Sequence, residues 1–371
     1  MGESPKQTLQ RFLNYAGITI NGNKSYDIQV KDERFYKRVL SGGSLGLGES
    51  YMDGWWECKK LDELISKILR ARLDKKVVGL KNMGIILKAK FLNMQNISKA
   101  SQVVDKHYDL GNNLYKNMLD KRMVYTCAYW KKAKNLDQAQ EAKLDLICKK
   151  INLRPGQKVL DIGCGFGSFA KYAAEKYKVK VVGITISKKQ AQLARELCKG
   201  LRVEIRLQDY RDVDEKFDHI VSIGMFEAVG VKNFRTFMNV VSRNLKPDGL
   251  FLLHTIGGNT SSLFTDMWVN KYIFPNGVLP SPKQITTAVE GLFIVEDWHN
   301  FRADYDKTLM TWYKNFKKNW NKIKNSYGER FYRMWKYYLL SSAGAFRSGK
   351  NQVWQIVFSK NGVPGGYESV R

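Results

Sequence analysis

A glycine-rich turn between an apolar strand and a helix constrains the fold of this chain more than any other feature. The stretch VLDIGCGFG ends a predicted strand, and Gly163, Gly165 and Gly167 allow the backbone to turn tightly and to approach a ligand closely. Predicted strands and helices then alternate with short turns, from VKVVGITIS to GLFLLHTIG. Such alternation is typical of a parallel sheet that is covered by helices on both faces.

The spacing of these glycines separates two classes of cofactor site. A dinucleotide site favours GxGxxG and an acidic residue about 20 positions later. Here the spacing is GxGxG, the next strand ends in GITIS without an acid, and Asp161 stands two residues before the first glycine. This arrangement is similar to the S-adenosylmethionine loop of Rossmann-like methyltransferases. A tight structural turn is the alternative interpretation.

The charge balance indicates an anionic partner. The 371 residues include 62 Lys and Arg against 35 Asp and Glu, a net charge of +27. Nucleic acid and anionic lipid are the main candidates, and a generally basic proteome is the alternative. We find no RNA-binding module and no zinc knuckle in the sequence. Five scattered cysteines and four histidines predict neither a disulfide framework nor a metal site.

The chain divides into two predicted domains. Residues 1–95 form a smaller, mainly helical N-terminal domain, which we expect to associate with lipid or membrane. In it the glycines of SGGSLGLGES mark turns and DELISKILRAR forms a helix. Residues 75–94 mix lysines with apolar residues, which suits either a membrane interface or an ordinary packed helix. The polar stretch NISKASQ is a predicted linker to the α/β domain, residues 96–371. No signal peptide and no run of about 18 apolar residues is found, so we expect a cytoplasmic protein.

Several motifs together resemble one enzyme family. They include GESYMDGWWE, HYDLGNNLY, YTCAYW, SIGMFEAVG, LHTIG, HNFRADYDKTLMTW and AGAFRSGKNQVWQIVFS. The chain is similar over nearly its whole length to the cyclopropane-fatty-acyl-phospholipid synthases. This resemblance implies a class I methyltransferase Rossmann-like fold, with a mostly parallel sheet, helices on both faces and a late antiparallel strand. It also makes residues 96–371 the S-adenosylmethionine-dependent catalytic domain.

The resemblance implies a specific chemistry. Enzymes of this family transfer the methyl group of S-adenosylmethionine to a cis double bond within a phospholipid acyl chain. The resulting carbocation closes to a cyclopropane ring when the new methyl group loses a proton, which a bound bicarbonate ion accepts. Such an ion needs a fully hydrogen-bonded site beside the hydrocarbon.

The family motifs place candidate ligands for that ion in this sequence. By the resemblance, the thiol of Cys127, the side chains of His254 and Tyr305 and the backbone N–H of Ile256 would donate hydrogen bonds, while Glu227 would accept the bicarbonate O–H. From the residues alone, other interpretations stay open. Glu227 could be a direct general base or a helix-terminal charge, His254 a core histidine and Cys127 a packing residue.

The resemblance also implies cofactor contacts and one departure. The expected S-adenosylmethionine ligands lie in four motifs: Tyr125 and Thr126; Asp161, Gly163, Cys164, Gly165 and Gly167; Thr185, Ile186 and Gln190; Asp209 and Tyr210. Many family members carry a cysteine just before AGAF, where this chain has Ser342. Because the bicarbonate mechanism does not use that thiol, we interpret the replacement as tolerated.

The implied substrate is an unsaturated phospholipid, reached from the inner face of an anionic bilayer to which the enzyme binds peripherally. Trp268, Tyr272 and Phe274 could line an acyl-chain tunnel, or belong to an ordinary core. A second apolar set on one helical stripe is more typical of a core face: Leu309, Trp312, Tyr313, Phe316, Trp320 and Ile323. A homodimer is a further expectation. The alternative function is an amine or other lipid C-methyltransferase of the same branch.

Overall fold

The structure, a computed structural model, describes residues 3–73 and 112–371. It divides into two compact units. Among the described residues, unit 1 consists of residues 3–73, 263–275 and 305–351, and unit 2 consists of residues 112–262, 276–304 and 352–371. The structure thus groups two later segments with the N-terminal residues, whereas the sequence placed them in the second domain. The predicted segment 75–94 and the predicted linker lie outside the described residues.

The secondary structure follows the predicted alternation closely. The elements of residues 3–73 are α1 (Pro5–Asn14), β1 (Gln29–Val30), α2 (Arg34–Met52), β2 (Trp56–Glu57) and α3 (Leu61–Arg70). From residue 112 onward they are α4 (Asn112–Met118), α5 (Leu136–Lys150), β3 (Lys158–Ile162), α6 (Ser168–Tyr177), β4 (Lys180–Thr185), α7 (Lys188–Leu197), β5 (Val203–Leu207), β6 (Phe217–Ile223), α8 (Phe234–Asn244), β7 (Leu245–Gly258), α9 (Met267–Tyr272), α10 (Pro282–Val289), β8 (Ile294–Asn300), α11 (Arg302–Ile323), α12 (Glu329–Ser348) and β9 (Asn351–Ser359).

A seven-stranded sheet forms the centre of unit 2, with the strand order β5-β4-β3-β6-β7-β9-β8. The pairs β4–β5, β3–β4, β3–β6 and β6–β7 are parallel, while β8 and β9 pair antiparallel. The expected parallel sheet with a late antiparallel strand is therefore confirmed. The strand order reverses between β3 and β6, which in an open α/β sheet is where ligands bind, beyond the carboxyl ends of the strands.

Alternate residues of the central strands point to opposite faces of this sheet and bury two apolar clusters. One face packs on α8 and α10, through residues such as Phe237, Phe251 and Ile285. The other face packs on α5 and α6, through residues such as Ile147 and Phe169. Both faces are covered, which explains why the strands are nearly continuous apolar runs in the sequence.

Helices dominate unit 1, as the resemblance implied for the N-terminal region. The apolar stripe of α11 is a core face, because Leu309, Trp312, Phe316 and Ile323 are buried. Trp268 of α9 is also buried, and its indole Nε1–H donates to Met52 Sδ at 3.3 Å. Within the described residues, no helix is both long enough and apolar enough to cross a bilayer.

The turns predicted in SGGSLGLGES are confirmed at one position only, because the rest of this stretch is helical and lies inside α2. The helix is interrupted once, at Gly43, whose φ is 54° and ψ is −130°. The other glycines permit close packing. A Cβ at Gly46 would lie 2.1 Å from the carbonyl oxygen of Arg38, and a Cβ at Gly48 would lie 2.3 Å from the Trp268 ring. Tertiary packing, which the local sequence does not reveal, decided the helix here.

A glycine also sets the packing of α12 on α3. A Cβ at Gly344, in the AGAF motif, would lie 2.5 Å from the carbonyl oxygen of Asp62 and 3.0 Å from Ile65 Cβ. Next to this contact, Arg347 Nη1 donates to Asp62 Oδ2 at 2.5 Å and Arg347 Nε donates to Asp306 Oδ2 at 2.8 Å. The two helices therefore approach through a backbone surface that any side chain at position 344 would push apart.

We expect Gly344→Ala to destabilise the protein by about 1–3 kcal/mol, because the added methyl group overlaps the α3 backbone. Gly42→Ala is the matched control. Gly42 is also helical, and a Cβ there would meet no atom within 4 Å, so the higher helix propensity of alanine should preserve or raise stability. Thermal unfolding measures both variants. Equal midpoints for the two variants would contradict the packing described for α12 and α3.

Candidate active site

The glycine loop has the backbone conformation that its sequence predicts. Gly163, Gly165 and Gly167 have φ values of 80°, 55° and 77°, which side chains other than glycine rarely adopt. A Cβ at Gly163 would lie 2.6 Å from Met225, so the loop after β3 can approach the segment after β6 only without a side chain. A Cβ at Gly165 would meet no atom within 4 Å, so the chain leaves open space at this position.

The predicted ribose and adenine residues lie at the neighbouring strand end. The N–H groups of Gly163 and Cys164 both donate to the carbonyl oxygen of Ile184, each at 3.0 Å, which ties the loop to the end of β4. Beyond β4, Thr185 Oγ1 and Gln190 Oε1 are hydrogen-bonded at 3.1 Å and both residues are buried. Ile186 follows at the tip of β4, with 37% of its surface exposed.

Leu207, which the sequence did not single out, ends β5 with 46% of its surface exposed. The sequence feature that could have identified Leu207 is an apolar residue at the end of β5, the strand next to the one that leads to Ile186. Exposed apolar side chains beside a glycine loop offer a surface for a flat ring such as adenine. The edge thus fits a ligand with an apolar ring at one end.

Asp209 and Tyr210, the loosest of the predicted cofactor contacts, already have protein partners. The Asp209 carboxylate accepts from Arg211 Nε at 2.8 Å and from the Arg211 backbone N–H at 2.9 Å. The Tyr210 ring is buried and packs against Phe237, with ring centroids 5.2 Å apart. The Tyr210 ring therefore packs in the core of the α8 face, and its expected contact with the cofactor stays a prediction.

Tyr125 and Thr126, predicted at the methionine end, are held by α4 and α5. The Tyr125 ring packs edge-on against Tyr115, with centroids 5.0 Å apart. The Thr126 carbonyl accepts from Gln140 Nε2 at 2.9 Å, and Thr126 Oγ1 accepts from Lys143 Nζ at 2.8 Å. Helix α5 thus fixes Thr126 through both its backbone and its side chain.

A row of polar side chains crosses the α5 face of the sheet. Asp161 of β3 pairs with Val221, which belongs to the apolar cluster of that face. His254 of β7 pairs with Ile223, and Gln355 of β9 pairs with His299 of β8. By strand alternation these side chains share one face near the carboxyl ends of the parallel strands. Asp161, His254 and Gln355 are each at most 2% exposed.

His254 is held in its neutral form. Burial, reinforced by the charges of Lys143 and Lys150, lowers the pKa of His254 well below its usual value. His254 Nδ1 lies 3.3 Å from Gln355 Nε2. With the amide nitrogen donating to Nδ1, the single imidazole proton resides on Nε2. Gln355, which the sequence did not single out, thereby makes His254 a hydrogen-bond donor.

Glu227 lies in a short 3-10 turn, Phe226–Ala228, directly after β6. Its Oε1 accepts from the Ile256 backbone N–H at 2.6 Å, while Oε2 is buried without a hydrogen-bond partner among the described residues. Burial raises the pKa of Glu227 to about 7, against the lowering effect of the Ile256 amide. The Ile256 N–H, expected to bind the ion, is thus engaged by Glu227 in this structure.

The remaining predicted ligands differ in their surroundings. Cys127 is buried, and its Sγ lies 3.2 Å from the carbonyl oxygen of Ala128 and 3.9 Å from that of Phe301. Its thiol is thus a donor among backbone acceptors. Tyr305 belongs to unit 1, where its ring packs on Phe346 with centroids 4.6 Å apart. Its expected role rests on its match to the family motif.

Helix α5 contributes buried polar residues that sequence reasoning missed. Gln140, Lys143 and Lys150 are completely buried. A signal was present, because Lys143 lies four residues before Ile147 and seven before Lys150, on the face that carries the apolar residues of α5. Among the described residues, no group of His, Cys, Asp and Glu side chains could hold a metal ion.

Four of the nine buried polar atoms that lack hydrogen-bond partners among the described residues belong to this part of the sheet. Asp161 Oδ2, Ser222 Oγ, Glu227 Oε2 and Gln355 Oε1 are buried without hydrogen-bond partners among the described residues. Buried polar atoms normally have partners, so unsatisfied ones indicate a ligand or water. Together with the open glycine loop and the apolar strand tips, they fit a ligand that combines a flat ring with charged groups.

Comparison with known proteins agrees with this geometry. The family model described as mycolic acid cyclopropane synthetase matches residues 95–356. The chain is 56% identical over 360 residues to the cyclopropane-fatty-acyl-phospholipid synthase of Escherichia coli strain K12. The matched region covers 97% of this chain and 94% of that protein.

Two further proteins extend the comparison. The tuberculostearic acid methyltransferase UfaA1 of Mycobacterium tuberculosis is 32% identical over 352 residues, covering 88% of this chain and 82% of that protein. The solved structure of the mycolic acid cyclopropane synthase CmaA1, complexed with SAH and CTAB, superimposes with a TM-score of 0.66 at 33% identity. It covers 70% of this chain and 98% of that one.

The raised pKa of Glu227 gives the folded protein a specific dependence on pH. The folded state binds this proton more tightly than the unfolded state does. The contribution of Glu227 to stability is therefore full below pH 4.5, falls as the pH rises to about 7, and does not change further above that. The difference in pKa corresponds to about 3 kcal/mol. We therefore expect Glu227→Gln, which cannot ionise, to unfold at a higher temperature than the unmodified protein at pH 8, with a difference that shrinks by pH 5.

Exposed Glu196→Gln is the matched control, and we expect its unfolding midpoint to follow that of the unmodified protein throughout. If Glu227→Gln also follows the unmodified protein between pH 5 and pH 8, then Glu227 does not take up a proton in the folded state and the electrostatic description above is wrong.

Proposed function

The chain belongs to the mycolic acid cyclopropane synthetase family, and on that premise we propose how its residues carry out the reaction. It is an S-adenosylmethionine-dependent cyclopropane-fatty-acyl-phospholipid synthase. It adds a methylene group to the cis double bond of an unsaturated phospholipid acyl chain. The observation that carries the proposal is a buried Glu227 with an unsatisfied oxygen at the sheet edge that also bears the glycine loop.

The residues at the glycine loop suit S-adenosylmethionine. The turn at Gly163 and Gly165 gives the ligand close access to the backbone, Asp161 supplies an unsatisfied carboxyl oxygen, and Ile186 supplies an apolar surface for adenine. Tyr125 and Thr126 would border the methionine end. When bound, the cofactor supplies an electrophilic methyl group. The contribution of the chain is to position that group at the end of β3 and to exclude water there.

The residues beyond β6 and β7 suit a bicarbonate ion, which when bound would supply the base that accepts the proton lost during ring closure. Glu227 Oε2 and the imidazole Nε2–H of His254 are available polar atoms, and a protonated Glu227 would donate to the anion rather than repel it. Cys127 and Tyr305 would complete the set by their family motifs. Since Glu227 holds the Ile256 N–H, that amide would position Glu227 or be shared with the ion.

The competing function is another lipid C-methylation, because one relative is named a tuberculostearic acid methyltransferase. The difference lies in the fate of one proton. A base held beside the new methyl group removes a proton from it and closes a ring, whereas loss of a proton from a neighbouring carbon of the chain leaves a methyl-branched alkene. The buried, mostly uncharged surroundings of Glu227 and His254 would favour a base held in place, and therefore the ring.

Docking on an anionic bilayer at the inner, cytoplasmic face of the membrane completes the proposal. Four lysines of α11 are exposed and make no ion pair with any described residue: Lys314, Lys317, Lys318 and Lys322. They lie opposite the buried Trp312 and Phe316, so the apolar side of α11 is occupied by the core of unit 1 and its cationic side meets solvent. A homodimer, as expected from the family, would present two such surfaces to one membrane.

The reaction is tested by incubating the protein with S-adenosylmethionine and vesicles of unsaturated phospholipid, followed by mass spectrometry of the fatty acids. We expect a gain of one CH2 with loss of the double bond. Glu227→Ala and His254→Ala should reduce ring formation by at least about 100-fold, because each removes a polar atom that would hold the ion. Calorimetry should show cofactor affinity within about threefold of the unmodified protein.

The matched control for this assay is Glu196→Ala, an exposed change on α7 that should retain full activity. A methyl-branched product from the unmodified protein would favour the competing C-methyltransferase. Undiminished ring formation by Glu227→Ala would remove Glu227 from the proposed site.

Membrane docking is tested by cosedimentation with vesicles of phosphatidylglycerol or phosphatidylcholine. Each lysine near an anionic surface contributes about 1 kcal/mol, so the double variant Lys317→Glu/Lys318→Glu should bind phosphatidylglycerol at least about 10-fold more weakly. The control Lys176→Glu/Lys180→Glu changes the net charge equally on exposed positions of unit 2 and should bind nearly normally. Equal losses would show that only net charge matters, and that α11 is not the docking surface.

A further inference from the structure

The ammonium group of Lys143 is a buried charge that the fold leaves largely unpartnered. Lys143 is completely buried, and its Nζ donates one hydrogen bond, to Thr126 Oγ1 at 2.8 Å. No carboxylate oxygen of the described residues lies within 4.0 Å of it. An ammonium has three N–H donors. A buried cation without a counter-ion costs several kcal/mol, so this arrangement calls for an explanation.

Lys150, on the same face of α5, shows what a buried lysine with a structural role looks like. Its Nζ donates to Asp297 Oδ2 at 2.7 Å, and the same carboxylate accepts from Arg371 Nη2 at 2.6 Å and from Ser369 Oγ at 3.0 Å. Burial lowers the pKa of both lysines to about 8, so both are mostly protonated at pH 7. They differ in that only Lys150 has a bonded carboxylate.

Two buried acidic groups, Asp120 and Asp161, attract Lys143 through space, but neither is bonded to its ammonium group. Asp120 accepts from the backbone N–H of Val124 through Oδ1 and from that of Arg122 through Oδ2, each at 2.9 Å. Asp161 attracts Lys143 through space, but burial raises the pKa of Asp161 to about 7 and its Oδ2 has no hydrogen-bond partner among the described residues. Lys143 and Asp161 thus both retain unused hydrogen-bonding capacity.

The position of Lys143 connects the two halves of the candidate site. Its partner Thr126 precedes Cys127, and a Cβ at Gly224 would lie 2.5 Å from Thr126 Cγ2. The Gly224 N–H in turn donates to the carbonyl oxygen of His254 at 2.8 Å. Lys143 therefore lies against the junction between the cofactor loop and the cluster of Glu227 and His254.

We propose that Lys143 is the counter-ion for a carboxylate-type anion that binds at this junction. The inference rests on the proposed function, which brings two anions of this chemistry: the methionine carboxylate of the cofactor, and free bicarbonate. Each presents negatively charged oxygens that can accept the two free N–H donors. Neutral His254 and protonated Glu227 carry no positive charge, so Lys143 supplies the charge that the anion requires.

Calorimetry without lipid tests this assignment, so its result does not depend on turnover. Lys143→Met keeps the side-chain length and removes the charge. If the anion is the cofactor carboxylate, the variant should bind S-adenosylhomocysteine about 10- to 100-fold more weakly and bind 5′-methylthioadenosine, which lacks the amino-acid group, with unchanged affinity. If the anion is bicarbonate, the variant should bind S-adenosylhomocysteine with unchanged affinity. In that case sodium bicarbonate should raise the unfolding midpoint of the unmodified protein above its value in sodium chloride, and the variant should show no such rise.

The stability of the ligand-free protein is an independent measurement, and the proposal predicts a change opposite to that expected of a structural lysine. Because Lys143→Met removes a buried unpaired charge, it should preserve or raise the unfolding midpoint of the ligand-free protein. A purely structural lysine would lower it. Lys143→Gln, which retains a donor for Thr126 without the charge, separates loss of the hydrogen bond from loss of the charge and should reproduce the binding defect of Lys143→Met.

Lys149→Met, an exposed change on the same helix that breaks only a surface ion pair with Asp145, is the matched control. It should leave binding unchanged and stability nearly so. The proposal is overturned if either Lys143→Met or Lys143→Gln binds both S-adenosylhomocysteine and bicarbonate as the unmodified protein does. Failure of the synthase assay with these bindings intact would instead count against the proposed function alone.

Discussion

Desolvation beneath α5 is the constraint on which the chemistry of this protein depends. It raises the pKa values of Asp161 and Glu227 to about 7, lowers that of Lys143 to about 8, and keeps His254 neutral. Each shift moves a group towards its uncharged form, as expected in a medium that solvates ions poorly. Surroundings with so little fixed charge would suit the proposed hydrocarbon substrate, and the proposed anion and Lys143 would balance each other there.

The fold could be predicted from the sequence where the requirement was local. Three glycines with positive φ after an apolar strand admit few structures, and the alternation of strands and helices then indicated the sheet. The same applies to Glu227, whose place after an apolar strand marked it as unusual. The identity of the bound ion, in contrast, came from the family resemblance and remains a proposal.

Other features could not be predicted, because they depend on contacts between residues distant in sequence. The glycines of α2 were interpreted as turns, although Gly46 and Gly48 accommodate the Arg38 backbone and the Trp268 ring. Lys143 was overlooked because lysine is almost always exposed unless paired, and only the folded sheet shows that it is buried. Gln355, which sets the tautomer of His254, reads in the sequence as an ordinary strand residue.

The packing of α3 against α12 has a consequence for the order in which the chain is synthesised. Arg347 and Asp62, which are paired in this contact, are 285 positions apart. At about 5–20 residues per second, the ribosome needs roughly 15–60 s to produce the second helix after the first. Through that interval α3 presents Leu64 and Ile65, both buried in the finished protein, without their final neighbours. The nascent amino-terminal region therefore stays incomplete until synthesis is nearly finished, and it is a natural substrate for chaperones.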